Sequence, residues 1–224
     1  VYKNIDLKTK LYNSSEDYNW AYCLPTWYEC LIDYTPKSYV LSKSDFEKFG
    51  IDNFLNDVVP KAGSFILKDF LKSRKHEWFD ACFIRDISDI DEVKRVVKNF
   101  VNLQGEDFYG GLVFREFLNL KKAGFHPKSK MPLPIEFRTF FLNGRPFYTT
   151  PYWSSDIPYS NASNPPQEWL EEVGRKLKSN FVALDIAQDE NDKWWVIEVN
   201  VGNSAGLPDR TDPEEFYKLL KEAL

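Results

Sequence analysis

The 224-residue chain is 43% hydrophobic and 28% charged, too apolar to be wholly disordered and long enough to bury a substantial core. Its 10 glycines and 13 prolines are too few for a fibrous or low-complexity protein, while aromatic residues reach 17%. With 34 acidic and 29 basic side chains the net charge is -5, which excludes a general polyanion-binding sheath and leaves room for a local phosphate site.

No window approaches the roughly 18 consecutive apolar residues of a membrane span, and Val1 to Lys10 are too polar for a signal-peptide core. The expectation is a cytoplasmic protein with no membrane partner and no nucleic-acid partner. Val1 in place of Met points to a native start that is trimmed or absent. Cys23, Cys30 and Cys82 are odd in number and lack C-x-x-C spacing, which predicts reduced, buried thiols. With His76 and His126 the only histidines, a His-rich metal centre is excluded and a His-based triad disfavoured.

In chain order, the aromatic run Tyr18, Trp20, Tyr22, Trp27 and Tyr28 reads as core, with an acceptor pocket as the alternative. Phe46, Phe49, Phe54 and Leu55 predict a helix from Ser44 to Val58. Alternation predicts strands over Phe65 to Phe70 and Ala81 to Arg85, flanking the basic segment Lys72 to Lys75. A helix starts at Ser88, carries Val93, Val96, Val97 and Phe100, and ends before Gly105. Gly110-Gly111 opens a strand from Leu112 to Leu118, and a proline-punctuated loop leads to another from Ile135 to Leu142. Asn143-Gly144 predicts a hairpin returning to Trp153. After a polar loop from Ser154 to Asn164, Pro165-Pro166 starts a helix with Trp169, Leu170, Val173 and Leu177. A second hairpin spans Phe181 to Val201, and Asp212-Pro213 caps a last helix. Strands grouped in hairpins with helices between them predict an α+β fold.

The second hairpin carries the chemistry. A two-residue turn at Asn191-Asp192 puts Asp185 opposite Glu198 and Ala183 opposite Asn200, on a polar face. Val182, Leu184, Ile186, Trp195, Ile197 and Val199 then form the apolar face. Facing carboxylates repel unless compensated, and hard oxygens without His or Cys suit magnesium; a solvated face is the alternative. On that view, Asp185→Asn with Glu198→Gln should spare or raise the stability of metal-free protein. Lys68 on one strand, and Glu136 with Arg138 on another, project from rigid backbone and suit phosphate capture. The segment Gly202-Asn203-Ser204-Ala205-Gly206 could offer backbone N–H groups to an anion, and it matches no P-loop or dinucleotide fingerprint.

Taken together, Phe65-Ile66-Leu67-Lys68, Leu112-Val113-Phe114-Arg115-Glu116-Phe117-Leu118, Ile135-Glu136-Phe137-Arg138, Asp185 and Glu198-Val199-Asn200 resemble an ATP-grasp domain. The resemblance covers roughly residues 60 to 224 and is closest to the small bacterial and phage clade labelled for an arginine and two lysines. It implies two α+β lobes gripping a nucleotide between antiparallel sheets, with a lead-in lobe over 1–60, a small lobe over 61–115 and a large lobe over 116–224. It implies ATP and Mg2+ as cofactors. Lys68 and Lys72 would meet phosphates, Glu116, Phe117 and Leu118 would run along adenine, and Arg138 would face the γ-phosphate. Asp185, Glu198 and Asn200 would hold magnesium. Arg115 is shared evenly between a phosphate contact and an ion pair, Glu136 lies beside the nucleotide, and Gly202, Asn203 and Ser204 would touch substrate. The implied reaction joins an unidentified carboxylate to an amine or thiol, of a small molecule or peptide, through an acyl phosphate. The alternatives are an ATP-binding assembly factor with a protein partner, and a binding domain with a degenerate site.

Overall fold

A computed structural model describes residues 12–159 and 162–224. The polar segment Val1 to Lys10 and part of the polar loop after Ser154 lie outside the described residues. The helices are α1 (Ser15–Tyr22), α2 (Leu24–Tyr28), α3 (Lys43–Phe49), α4 (Asp52–Asp57), α5 (Ile90–Gln104), α6 (Gln167–Gly174) and α7 (Pro213–Ala223). The strands are β1 (Ser38–Ser42), β2 (Phe65–Lys68), β3 (Phe83–Ile84), β4 (Gly111–Glu116), β5 (Lys122–Phe125), β6 (Pro132–Pro134), β7 (Glu136–Leu142), β8 (Arg145–Pro151), β9 (Phe181–Gln188) and β10 (Trp194–Val201).

Packing divides the chain into two units. Pro36–Asn119 with Phe125–Pro132 form one; the described part of Val1–Thr35, Leu120–Gly124 and Leu133–Leu224 form the other. Pairing of β1 with β4 ties residues 38–42 to the strands that follow them.

In the first unit an antiparallel sheet runs β1-β4-β2-β3. The helical spacing of Val93, Val96, Val97 and Phe100 turns one face of α5 into the core, where it meets Phe65, Leu67, Leu112 and Phe114. Asp89 caps α5 by accepting from Glu92 N at 3.0 Å, and Asp91 and Glu92 in the first turn complement the helix dipole. The helix expected from Ser44 to Val58 is two, α3 and α4, because Gly50 at φ 68 ends the first; Ser42, not Ser44, is the cap, accepting from Asp45 N. The strand expected over Ala81 to Arg85 keeps only Phe83–Ile84. Trp78–Cys82 is a π-helical turn whose Trp78 stacks on Phe83 with centroids 5.1 Å apart. A short apolar run has no period of its own to separate these outcomes.

Gly111 opens β4 at φ 148, and a Cβ there would lie 2.1 Å from the Leu41 carbonyl oxygen. Gly111→Ala should therefore destabilise the protein by well over about 1 kcal/mol, read as a lower denaturation midpoint at unchanged m-value.

The second unit is built on the antiparallel sheet β10-β9-β7-β8. Asn143 at φ 50 and Gly144 at φ 74 give the β7–β8 hairpin the turn its sequence predicts. Phe140, Ala183 and Phe216 form a buried cluster on one side, with the Phe140 and Phe216 rings 4.8 Å apart. Asp212 caps α7 through Glu214 N and Glu215 N. From the early aromatic run, Trp20 and Trp27 are core and Tyr22 is exposed. No helix among the described residues is long and apolar enough to cross a membrane.

The three cysteines form no disulfide: Cys82 is buried, and Cys23 and Cys30 are half-buried rather than fully enclosed. Burial pushes the Cys82 thiol up to about 12, with the charge of Lys68 acting the other way. At pH 8 Cys82 should resist a thiol reagent until the protein unfolds, while Cys23 and Cys30 react natively. Because the folded thiol keeps its proton longer than the unfolded one, this contribution to stability is complete below the ordinary thiol value and lost as pH rises from there toward 12.

Candidate functional site

The β9–β10 hairpin places Asp185 opposite Glu198 and Ala183 opposite Asn200, as the sequence predicts, by a different route. The connection is not a two-residue turn. Asp189 N donates to Lys193 O at 2.9 Å, and the Asp189 carboxylate accepts from Asn191 N, Lys193 N and the Trp195 indole N–H. This starts the pairing one residue out of step, with Trp194 opposite Gln188, and a bulge between Val196 and Glu198 restores it. The strand groups of Val196 turn to the preceding segment: its N–H donates to Tyr34 O at 2.7 Å, and its carbonyl accepts from Thr35 Oγ1 at 2.8 Å. Trp194 and Val196 are consequently buried, whereas Trp195 and Ile197, expected in the core, are half-buried.

Arg138 on β7 lies across from Asp185 on β9. The Arg138 Nε donates to Asp185 Oδ1 at 2.7 Å and Nη2 to Oδ2 at 2.8 Å, a two-pronged ion pair with Asp185 only 1% exposed. Nη1 donates to the Gly206 carbonyl at 2.8 Å, and the guanidinium lies 4.9 Å from the Tyr152 ring centroid. Asn200 Nδ2 donates to Asp185 Oδ2 at 3.2 Å. Burial disfavours the Arg138 charge, yet the Asp185 carboxylate outweighs it and holds the guanidinium protonated. Burial, then the charges of Asp185 and Glu136, push the Tyr152 phenol well above its ordinary value; Arg138 opposes them and Glu198 adds to them.

Asp185 bonds the Arg138 guanidinium directly, and the charge of Glu198 also favours its protonated form. Arg138 compensates Asp185 directly, so a metal is not needed to hold that carboxylate in place. Glu198 and Asn200 alternate along one face of β10 and offer hard oxygens, a donor set that fits magnesium when phosphate and water complete the shell. Among the described residues no group of three or more His, Cys, Asp or Glu side chains could hold a metal by itself.

The Gly202 to Gly206 loop is less available than its composition suggests. Gly202 N donates to Phe181 O, and Ser204 N and Ala205 N both donate to Val201 O, so these amides are spent within the turn. The Asn203 side chain accepts from Asn13 at 3.5 Å.

In the other unit Lys68 ends β2 and is 7% exposed, while Lys72 is exposed. The residue joining them is Asp69, which sequence reasoning passed over. Asp69 Oδ1 accepts from Leu71 N at 2.7 Å and Lys72 N at 2.6 Å, and Oδ2 accepts from Gln104 Nε2 at 2.7 Å. An Asp just after a strand, with its side chain bonding amides two and three residues on, is the signature of an Asx turn. On β4, Arg115 is buried and alternates with Glu116, whose Oε1 accepts from Tyr39 OH at 3.2 Å. The chain stays extended past Glu116: Phe117 N donates to Ser64 O at 2.9 Å, its ring lies 4.9 Å from that of Phe83, and Leu118 is half-buried. Glu136 is buried at the head of β7, and its carbonyl accepts from Tyr159 OH at 2.6 Å.

Comparison with known proteins bears on this arrangement. Curated protein sequences give no match. Solved structures give many at the level of fold. The chain resembles D-cycloserine synthetase DcsG with a TM-score of 0.60 at 12% identity, covering 98% of this chain and 75% of that one. It resembles the ATP-grasp ligase PsnB, solved with precursor peptide PsnA2 and AMPPNP, with a TM-score of 0.55 at 16% identity over 98% of this chain. An N5-carboxyaminoimidazole synthetase from Staphylococcus aureus, complexed with ADP, follows with a TM-score of 0.56 at 13% identity, covering 98% of this chain and 52% of that one. The chain spans 64% of the PsnB chain, just under two thirds of its length. The α+β architecture, with its two four-stranded antiparallel sheets, is the ATP-grasp fold. A family model described as an ATP-grasp domain, family 3 of its clade, matches residues 55–220, and the chain belongs to that ATP-grasp family.

Proposed function

We propose that the chain is an ATP-dependent ligase that activates a carboxylate and joins it to an amine or thiol. The observation that carries this reading is the buried Arg138–Asp185 pair, with Glu198 opposite Asp185 and Asn200 bonded to it. Its fold is that of ligases solved with ADP or AMPPNP.

In this reading Lys68 meets the phosphates from the end of β2, Lys72 is the second lysine on the turn that Asp69 closes, and Glu116 to Leu118 line the adenine. Three of the five N–H groups of Arg138 donate to Asp185 and Gly206, and the other two suit oxygens of the γ-phosphate. Glu198 and Asn200 would hold magnesium, with Asp185 orienting Asn200 from behind, and the ion would supply charge neutralisation at the phosphates. The substrate carboxylate oxygen bonds to the γ-phosphorus as the bond to ADP breaks. The nucleophile then adds to the acyl carbon, phosphate leaves, and the nucleophile's proton passes to solvent. Catalysis is by positioning and charge stabilisation, for which histidine is not required. Three cysteines without a disulfide suit a reducing, cytoplasmic setting.

Incubation with ATP, magnesium and pooled carboxylates, amino acids, amines and peptides should release ADP and phosphate and yield a condensed mass. AMP release would reject the acyl phosphate. ATP binding without turnover, with capture of a protein partner, would replace this reading with an assembly factor. Arg138→Lys keeps the charge and loses the fork, so kcat should fall by about 100-fold at a nearly constant KM for ATP. A raised KM with unchanged kcat would make Arg138 a uniform binding group.

A further inference from the structure

Two loops of the second unit converge on Arg138, and one residue fastens them together. From the loop after β10, the Gly206 carbonyl accepts from Arg138 Nη1. From the loop after β8, the Tyr152 ring lies against the guanidinium. Arg210, four residues beyond Gly206, reaches from the first loop to the second: its Nη2 donates to Ser154 O at 3.1 Å, to Ser155 O at 3.0 Å and to Ile157 O. Its guanidinium also lies 5.1 Å from the Tyr159 ring centroid. Tyr159 passes the restraint on. Its hydroxyl donates to the Glu136 carbonyl and accepts from Trp153 N at 3.3 Å. Tyr152 N donates to the same Glu136 carbonyl at 2.8 Å, and the Trp153 indole N–H donates to Pro134 O at 2.8 Å.

We propose that Arg210 is a positioning residue for Arg138, clasping the 152–159 loop to the 202–212 loop so that Tyr152 and the Gly206 carbonyl hold the guanidinium from two sides. The functional consequence rests on the proposed ligase reading; the clasp itself does not. A charged donor shared among three carbonyls is stronger than neutral turn bonds, and a planar cation over Tyr159 fixes the ring that anchors Tyr152. Lysine can replace the charge and reach carbonyls, but it has no plane to lay on the ring. Without Arg210 the loop would keep its bonds to Glu136 O and Pro134 O but lose its tie to the 202–212 loop, so Tyr152 and the Gly206 carbonyl would move more independently and Arg138 would keep Asp185 with weaker lateral restraint.

The test uses the full chain with Arg210→Ala and Arg210→Lys, comparing hydrogen exchange across residues 152–159, exchange of the Arg138 Nε–H by NMR, and turnover. In Arg210→Ala, exchange at the Tyr152 amide and at Arg138 Nε–H should rise by at least about 10-fold, with the β9–β10 amides unchanged. Arg210→Lys should recover part of that protection. Where turnover is measurable, Arg210→Ala should lower kcat by about 10-fold at constant KM for ATP, a split that general destabilisation would not give. Unchanged exchange in Arg210→Ala overturns the clasp. Faster loop exchange with an unmoved Arg138 Nε–H overturns its role toward Arg138. If the wild type shows no turnover, the ligase reading fails while both exchange arms still decide the clasp. Should Arg210→Ala fail to fold, the lysine variant alone must show intermediate exchange, and wild-type protection there overturns the proposal.

Discussion

Asp185→Asn is expected to lower the melting temperature of the nucleotide-free protein by on the order of 10 °C. The carboxylate takes both prongs of Arg138 at 2.7 and 2.8 Å in a region closed to water, and asparagine keeps its shape without its charge. Removing one partner of a buried pair costs about 3–5 kcal/mol, because the guanidinium left behind loses its directly bonded carboxylate in a region closed to water. Relief of repulsion from Glu198 acts the other way but is smaller, since Glu198 is half-exposed and cross-strand pairs of this kind amount to about 1 kcal/mol or less. The double substitution Asp185→Asn with Glu198→Gln should therefore also melt earlier than wild type. From the sequence, where only the two acids face each other, the opposite sign is expected; the third strand reverses it by bringing in Arg138. Thermal scans of the wild type and of each single and double variant, without nucleotide, decide between the two. A double variant as stable as wild type would mean that the Arg138–Asp185 pair contributes nothing net, and would return the site to simple like-charge repulsion.

The facing of Asp185 and Glu198 was legible because a strand's period of two fixes which side chains share a face, and an apolar side must be buried. The path to it was not. Asp189 closes its loop through its own side chain, and Tyr34 and Thr35, over 150 residues earlier, take the strand groups of Val196. The turn and the bulge each shift the register by one, and their effects cancel at Glu198. Arg138 was legible as a strand residue of the right charge, but its partner was not, since β7 pairing with β9 is a long-range choice that local pattern does not specify. The same limit hid Arg210, which no periodicity marks, and the Gln104 partner of Asp69, whose turn to Leu71 and Lys72 was itself local. The Gly202 to Ser204 segment shows a different limit. Its composition suggests available amides, and the fold spends those of Gly202 and Ser204 on Phe181 O and Val201 O.

Lys68→Met should weaken magnesium-ATP binding by about 10- to 150-fold while leaving the melting temperature within a few degrees of wild type. Charged hydrogen bonds amount to about 1.5–3 kcal/mol, and each 1.4 kcal/mol is roughly tenfold in affinity. Methionine is the informative replacement because Lys68 is 7% exposed: its stem packs inside the unit, and alanine would add a cavity to the loss of charge. The neighbouring lysine provides the internal comparison. Lys72 is exposed and is placed by its backbone N–H, which Asp69 accepts whatever the side chain, so Lys72→Met should preserve the turn. Screening by solvent should make its effect on affinity smaller and steeper with salt than that of Lys68. Calorimetric titration of both variants at two ionic strengths separates the roles. Equal, salt-sensitive losses would make both lysines part of a diffuse field, and an unchanged affinity in folded Lys68→Met would move the phosphates away from the end of β2.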